Sequence, residues 1–213
     1  MSQSPPGNDP SSPDTSIYIQ CMSEVRERLD AVMLLAFSEK VFKGTSDFLL
    51  ETQFLQLRKV LEVMAFASLT ANQAKYAAAH AKFATHWNAA RMLGCLEEIN
   101  PDFYPMPAVV RKVAPGPNAR IRWEYQVVRD GFLSRDDFVF LYDTSSMIVH
   151  TRNPFSPNTP VEIRYDIPVW VERIRSLLRI HFMHFVDDRR WLVYVPDVGK
   201  IVVETAMSDP SVV

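Results

Sequence analysis

Cysteine is scarce in this chain of 213 residues. There are two, Cys21 and Cys95, and neither has a partner at metal-ligand spacing. That excludes a zinc site of the usual kind and predicts reduced thiols in a cytoplasmic protein. Glycine is nearly as scarce, six residues in all. No Gly-rich phosphate loop, no nucleophile elbow and no carboxylate cluster of metal type is present. Those absences argue against nucleoside triphosphate hydrolysis, ordinary ester hydrolysis and two-metal nuclease chemistry. No metal and no cofactor is expected. Charge of one sign is also lacking: the formal net charge is −2. The chain as a whole therefore feels no pull toward nucleic acid or an anionic membrane. No apolar run approaches the length of a membrane span, and the N-terminus has Pro, Ser, Asp and Gly where a secretory signal needs an apolar core.

What is present reads as an α+β protein: a mainly α-helical bundle with a small C-terminal antiparallel β-meander. Residues 1–15 form a polar, Pro-rich tail expected to be disordered, since it cannot bury enough apolar surface to offset ordering entropy. Residues 16–213 are expected to make a single domain. Within it, 16–100 carries helical periodicity. Ser16 suits an N-cap, followed by Met22, Val25, Leu29, Val32 and Met33 at helical spacing. After Gly44, Thr45-Ser46-Asp47 caps a second helix that is apolar nearly all round, with Leu50, Phe54, Leu57, Leu61 and Ala65 on one face. Such a helix is usually central. Asn72 suits the cap of a third helix carrying Tyr76, His80, Phe83 and Trp87, with a break expected near His86 before it continues through Leu93 and Leu96.

Asn100-Pro101 ends the bundle, and 101–133 reads as an irregular segment or a hairpin, with Val109–Val113 and Ile121–Val127 as its strands. Two further helices occupy 134–180. The first is capped by Ser134, with Asp137 three residues on. The second has Pro168 in its first turn and Val169, Trp170, Ile174, Leu177 and Leu178 facing inward. The meander over 181–206 has strands His181–Val186, Trp191–Val195 and Lys200–Thr205.

Groups able to do chemistry gather in few places. In the helix after Ser134, Phe138, Leu141, Tyr142, Ser145, Ile148 and Val149 form the core stripe at about 100° per residue. Ser146 and His150 fall just off its edge, so Tyr142 and Ser146 are candidate binding residues and His150 a candidate catalytic one. An imidazole exchanges a proton near neutral pH, but a His at a helix C-terminus also serves simply as a cap. On the central helix, Arg58 and Glu62 are four apart and can pair directly. Either they form a partly buried structural ion pair or they belong to a site. Packing the two stripes together is expected to bring His150 to this pair.

Arg122 and Trp123, with Arg111, Lys112, Arg120, Tyr125 and Arg129 around them, are candidates for phosphate contact and base stacking on a two-stranded ribbon. The alternative is a solvated hairpin, since Glu124 and Asp130 interrupt the charge. His80 and His86 lack the neighbours a metal needs. Packing suits His80 and Trp87 better.

The stretch Leu57-Arg58-Lys59-Val60-Leu61-Glu62, followed later by Tyr142 through Ser146 to Val149-His150, resembles the divergent edge of the HEPN superfamily. These are small helical bundles of bacterial toxins, abortive-infection proteins and nucleotide- or RNA-associated modules. The resemblance covers the helical part alone. It implies that Arg58 and Glu62 match an Arg/Glu pair on one bundle helix and His150 the His of a late helix. Ribonuclease members carry an Arg shortly before that His, where this chain has Asp143, Thr144 and Ser145. The departure counts against metal-independent RNA cleavage. Arg175 with His181 and Arg179 with His184 match that spacing too, but they straddle the expected helix-to-strand boundary, and this many arginines produce such matches by chance. The resulting expectation is a non-enzymatic bacterial binding or regulatory module, with a protein partner or a homodimer and RNA as a further contact, and no membrane. The alternative is a metal-independent endoribonuclease built on Arg58, Glu62 and His150.

Overall fold

The computed structural model describes residues 15–38, 46–72, 88–113, 122–150, 160–186 and 189–207. Among them the fold is α+β, with five helices and a five-stranded antiparallel sheet whose strands lie mostly in the second half of the chain. The helices are α1 (Thr15–Ser38), α2 (Ser46–Ala71), α3 (Ala89–Ile99), α4 (Arg135–Val149) and α5 (Ile167–Leu178). The strands are β1 (Met106–Val113), β2 (Arg122–Val127), β3 (Ile180–His184), β4 (Arg189–Tyr194) and β5 (Val202–Met207). Of the expected tail, residues 1–14 lie outside the described residues, whereas Thr15 already opens α1. The stretch with His80, His86 and Trp87 also lies outside them, and Leu93 and Leu96 belong to α3, which starts afresh from its own N-cap, Asn88.

Helical periodicity becomes packing directly. Tyr18, Met22, Val25, Leu29 and Val32 are the buried row of α1. The all-round apolar α2 packs against α1, α4 and α3, as a central helix must. The helix that Asn72 was expected to cap lies outside the described residues. Asn72 ends α2, its side-chain amide donating back to the Ser68 carbonyl at 3.0 Å. Its oxygen accepts from the Asn100 amide at 2.9 Å, and Asn100 donates also to the His184 carbonyl at 2.8 Å. Two buried asparagines thereby join the ends of α2 and α3 to the sheet, each satisfying the other's desolvated polar atoms. Ser134 caps α4 by accepting from the Asp137 amide at 3.1 Å. In α5, Trp170, Ile174, Leu177 and Leu178 are buried as the periodicity requires. Val169 is not: it stands 44 % exposed, because α5 turns only its Trp170 side inward.

The expected meander is only part of the sheet. Strand order is β2-β1-β3-β4-β5, so the hairpin of β1 and β2 extends the meander. The joint is short: only Met106 and Pro107 pair with β3, opposite Phe182 and His181. Beyond Pro107, β1 pairs with β2 alone, from Ala108 opposite Val127 to Val113 opposite Arg122. Alternation then sorts the faces. His181, Met183, Trp191 and Val193 point at the helices, where the last three join the main core. Phe182, Leu192 and Ala108 point the other way and form a second small core, with Met106, Tyr125, Ile180 and Tyr194 packed around it.

No described helix lies over that second core. The hairpin covers it. The Tyr125 and Tyr194 hydroxyls hydrogen bond, although β1 and β3 lie between their strands. Three strand spacings in a flat sheet span about 14 Å, so the hairpin curls over the outer face. The Tyr125 ring meets Phe182 edge-on at 5.7 Å.

Among the described residues no helix is long and apolar enough to cross a membrane.

Candidate functional site

Packing of α2 against α4 builds one polar constellation at the edge of the helix layer. From α2, Arg58 reaches across to α4. Its Nη1 donates to Ser146 Oγ and its Nη2 to Tyr142 Oη at 3.1 Å. Its Nε donates to Glu62 Oε1 at 3.2 Å on its own helix. The guanidinium also lies over the Tyr142 ring, 4.7 Å from the centroid. Glu62 takes a second cation, accepting from Lys59 Nζ at 2.9 Å. Spacing explains the assembly: Arg58 and Glu62 lie one turn apart on α2, Tyr142 and Ser146 one turn apart on α4. Arg58, Glu62 and Ser146 flank the apolar stripes of their helices, and Tyr142 belongs to the stripe of α4, so joining the stripes joins all four. Tyr142 is buried, while Arg58 at 24 % exposed and Glu62 at 16 % are half-buried.

The chemistry open to this group is limited. A guanidinium does not release its proton in a protein. Ser146 donates its hydroxyl proton to the Tyr142 carbonyl at 2.8 Å and accepts from Arg58, so no base is hydrogen bonded to it. A nucleophilic serine needs one. The arrangement clamps two helices.

His150 does not join the group. It is the C-cap of α4, with an exposed side chain and its backbone N–H bonded to the Ser146 carbonyl at 3.2 Å. It borders a depression of about 750 Å³ lined also by Asp47, Phe48, Leu50 and Glu51 of α2 and by Ile148, Val149, Val161 and Ile163. The expected three-residue patch fails for a geometrical reason. The end of α4 passes the first turns of α2, whereas Arg58 lies about two turns further along. Arg122 and Trp123 lie on β2, and their side chains are outside the described residues. Arg111 pairs in register with Glu124, and Lys112 with Trp123. Arg175 and His181, like Arg179 and His184, are split between helix α5 or its cap and strand β3.

Two buried polar groups had no clear sequence signal. Asp137, expected only in a helix cap, sits at the centre of an ion-pair cluster. Arg164 Nη1 donates to one carboxylate oxygen at 2.9 Å and Arg173 Nη2 to the other at 2.5 Å. Burial favours the neutral acid. The hydrogen bonds from Arg173 and Arg164 and the Arg173 charge outweigh it, holding the carboxyl below its usual range. Arg164 lies on the Phe140 ring at 3.8 Å and Arg173 near Tyr165 at 4.9 Å. The chain entering α5 is thus fastened to the start of α4. The other group is His181, enclosed between α1 and the sheet, whose Nε2 lies 2.6 Å from Tyr18 Oη. Among the described residues no cluster of His, Cys, Asp or Glu is placed to hold a metal ion.

No protein-family model matches the chain, and neither a curated protein nor a solved structure is similar to it.

Proposed function

We propose that the chain is a non-enzymatic binding or regulatory module, HEPN-like and of bacterial type, which works in the cytoplasm through contacts with a protein partner, a second copy or RNA. One observation carries the reading. The residues best suited to chemistry, Arg58, Glu62, Tyr142 and Ser146, spend their hydrogen bonds on one another inside a helix contact. The histidine that a ribonuclease would need beside them is at the exposed end of α4 instead. General acid–base catalysis needs its groups within hydrogen-bond reach of the same reacting atom. Two free thiols on separate helices suit a reducing compartment.

The test is an RNA cleavage assay on the purified protein, paired with affinity capture from bacterial extract with and without nuclease treatment. The module reading expects intact RNA and a specific partner. RNA cleavage that is lost in both Arg58→Ala and His150→Ala would replace it with the endoribonuclease alternative.

A further inference from the structure

Among the described residues, the outer face of the sheet holds one buried cation that forms no ion pair, beside a histidine, His184, that feels the Asp102 carboxylate. Arg190 on β4 is 8 % exposed. Among the described residues it makes no ion pair, and its Nε, fully shielded from solvent, has no hydrogen-bond partner. Its guanidinium lies over the Phe182 ring, 4.7 Å from the centroid. Directly across the β3–β4 ladder stands His184, whose buried Nε2 is likewise without a partner. His184 and Phe182 are in ring contact at 6.4 Å. Desolvating a guanidinium without pairing it is costly.

Phe182 lies against the Arg190 guanidinium, and register places His184 beside it on the same face. An arginine fork and an imidazole N–H on one face are the donor types that suit a tetrahedral oxyanion. Tyr125 and Tyr194 tie down the hairpin toward the other end of β3 and β4, four residues along from Arg190. The Arg190 end is thus distinct from the closed Tyr end.

We propose that Arg190 and His184 form a binding site for a phosphate group on the outer face of the sheet. The site stands apart from the α2–α4 contact and does not depend on the module reading. The phosphate comes from one of two sources, a free phosphate compound or the backbone of RNA, and both present the same oxygens to the same donors.

The experiment follows backbone and His184 ring resonances of the isotopically labelled full chain by NMR. Inorganic phosphate, a nucleoside 5′-monophosphate and a short single-stranded RNA are titrated separately at constant ionic strength. Saturable shifts centred on Arg190, His184 and Phe182 are expected with at least one of them. Arg190→Met keeps an apolar chain over Phe182 and should weaken that binding at least about tenfold, as loss of a charge-assisted fork does. Arg91→Met, an exposed control on α3, should leave it unchanged. If Arg190→Met does not fold, Arg190→Lys keeps the charge, loses the fork and should still weaken binding. A tighter response to RNA than to the monophosphate assigns the backbone source, and the reverse assigns the free compound. No saturable shift with any of the three overturns the proposal. So does binding that the Arg190 variant retains in full.

Discussion

Tyr18 and His181 lie 163 positions apart in sequence and meet in the core, with Tyr18 Oη 2.6 Å from His181 Nε2. His181 Nδ1 is 2.8 Å from the Leu178 carbonyl, which can only accept, so Nδ1 carries the proton and Nε2 accepts from the Tyr18 hydroxyl. Burial lowers the His181 pKa to about 4, against the Leu178 hydrogen bond, and the same burial raises that of Tyr18 well above its ordinary range.

A pH dependence follows. The folded state holds His181 neutral, while the unfolded chain binds a proton below about pH 6.5. Its contribution is fully present above that value and is lost as the pH falls toward about 4. Urea unfolding at a series of pH values should show a loss on the order of 3 kcal/mol from this group across that window. His181→Gln keeps an acceptor for Tyr18 and removes the titration. A variant whose stability falls as steeply as that of the wild type would exclude His181 as the cause.

Asp137 behaves in the same direction at lower pH. Its folded pKa lies below its ordinary value, so its stabilisation is present above about pH 4 and disappears as the pH falls through the depressed value. Asp137→Asn leaves Arg164 and Arg173 facing each other without a counter-charge. At neutral pH it should cost about 2–3 kcal/mol, the scale of hydrogen bonds to charged groups. Denaturant midpoints compared at pH 7 and near pH 3 are the check, and the difference between variant and wild type should shrink at the lower pH.

At the α2–α4 contact, Tyr142→Phe removes only the acceptor for Arg58 and should cost about 1 kcal/mol. Arg58→Met strips a donor from Ser146, Tyr142 and Glu62 together and should cost about 1–3 kcal/mol. A double-mutant cycle should give Arg58 and Glu62 a coupling under about 1 kcal/mol, because the pair is one turn apart and partly wet. Arg58 and Tyr142 should couple as strongly or more, through both the hydrogen bond and the ring contact. Strict additivity between Arg58 and Tyr142 would mean that the clamp contributes nothing.

His150→Ala should leave stability within about 0.5 kcal/mol, since the side chain is exposed and its capping contact uses backbone atoms. Thermal unfolding measures this directly. A large drop would place the His150 ring in a packed contact.

Much of the fold was legible because periodicity is local. The buried row of α1, the central position of α2, the Ser134 cap and the inward residues of α5 all follow from which side chains one turn of helix brings together. The candidate site was legible in pieces for the same reason: Arg58 with Glu62 is one turn of α2, and Tyr142 with Ser146 one turn of α4. What the flanking positions suggest is a meeting of His150 with Arg58 and Glu62; in the fold it is Tyr142 and Ser146 that reach Arg58. That His150 stays away was not legible, because the axial offset of two packed helices is set by their whole interface and leaves no mark on either sequence.

Linear sequence therefore determined the helices and the C-terminal strands, the scarcity of metal ligands and the polar edge of each stripe, since each depends on neighbours within a few residues; it left 101–133 open between an irregular segment and a hairpin. Tertiary structure decided that the hairpin joins the meander through Met106 and Pro107, that Asp137 gains two arginines, that Tyr18 finds His181, and that Arg190 is buried and forms no ion pair among the described residues. Those contacts join distant parts of the chain or depend on which face of a sheet is covered. No local pattern encodes either.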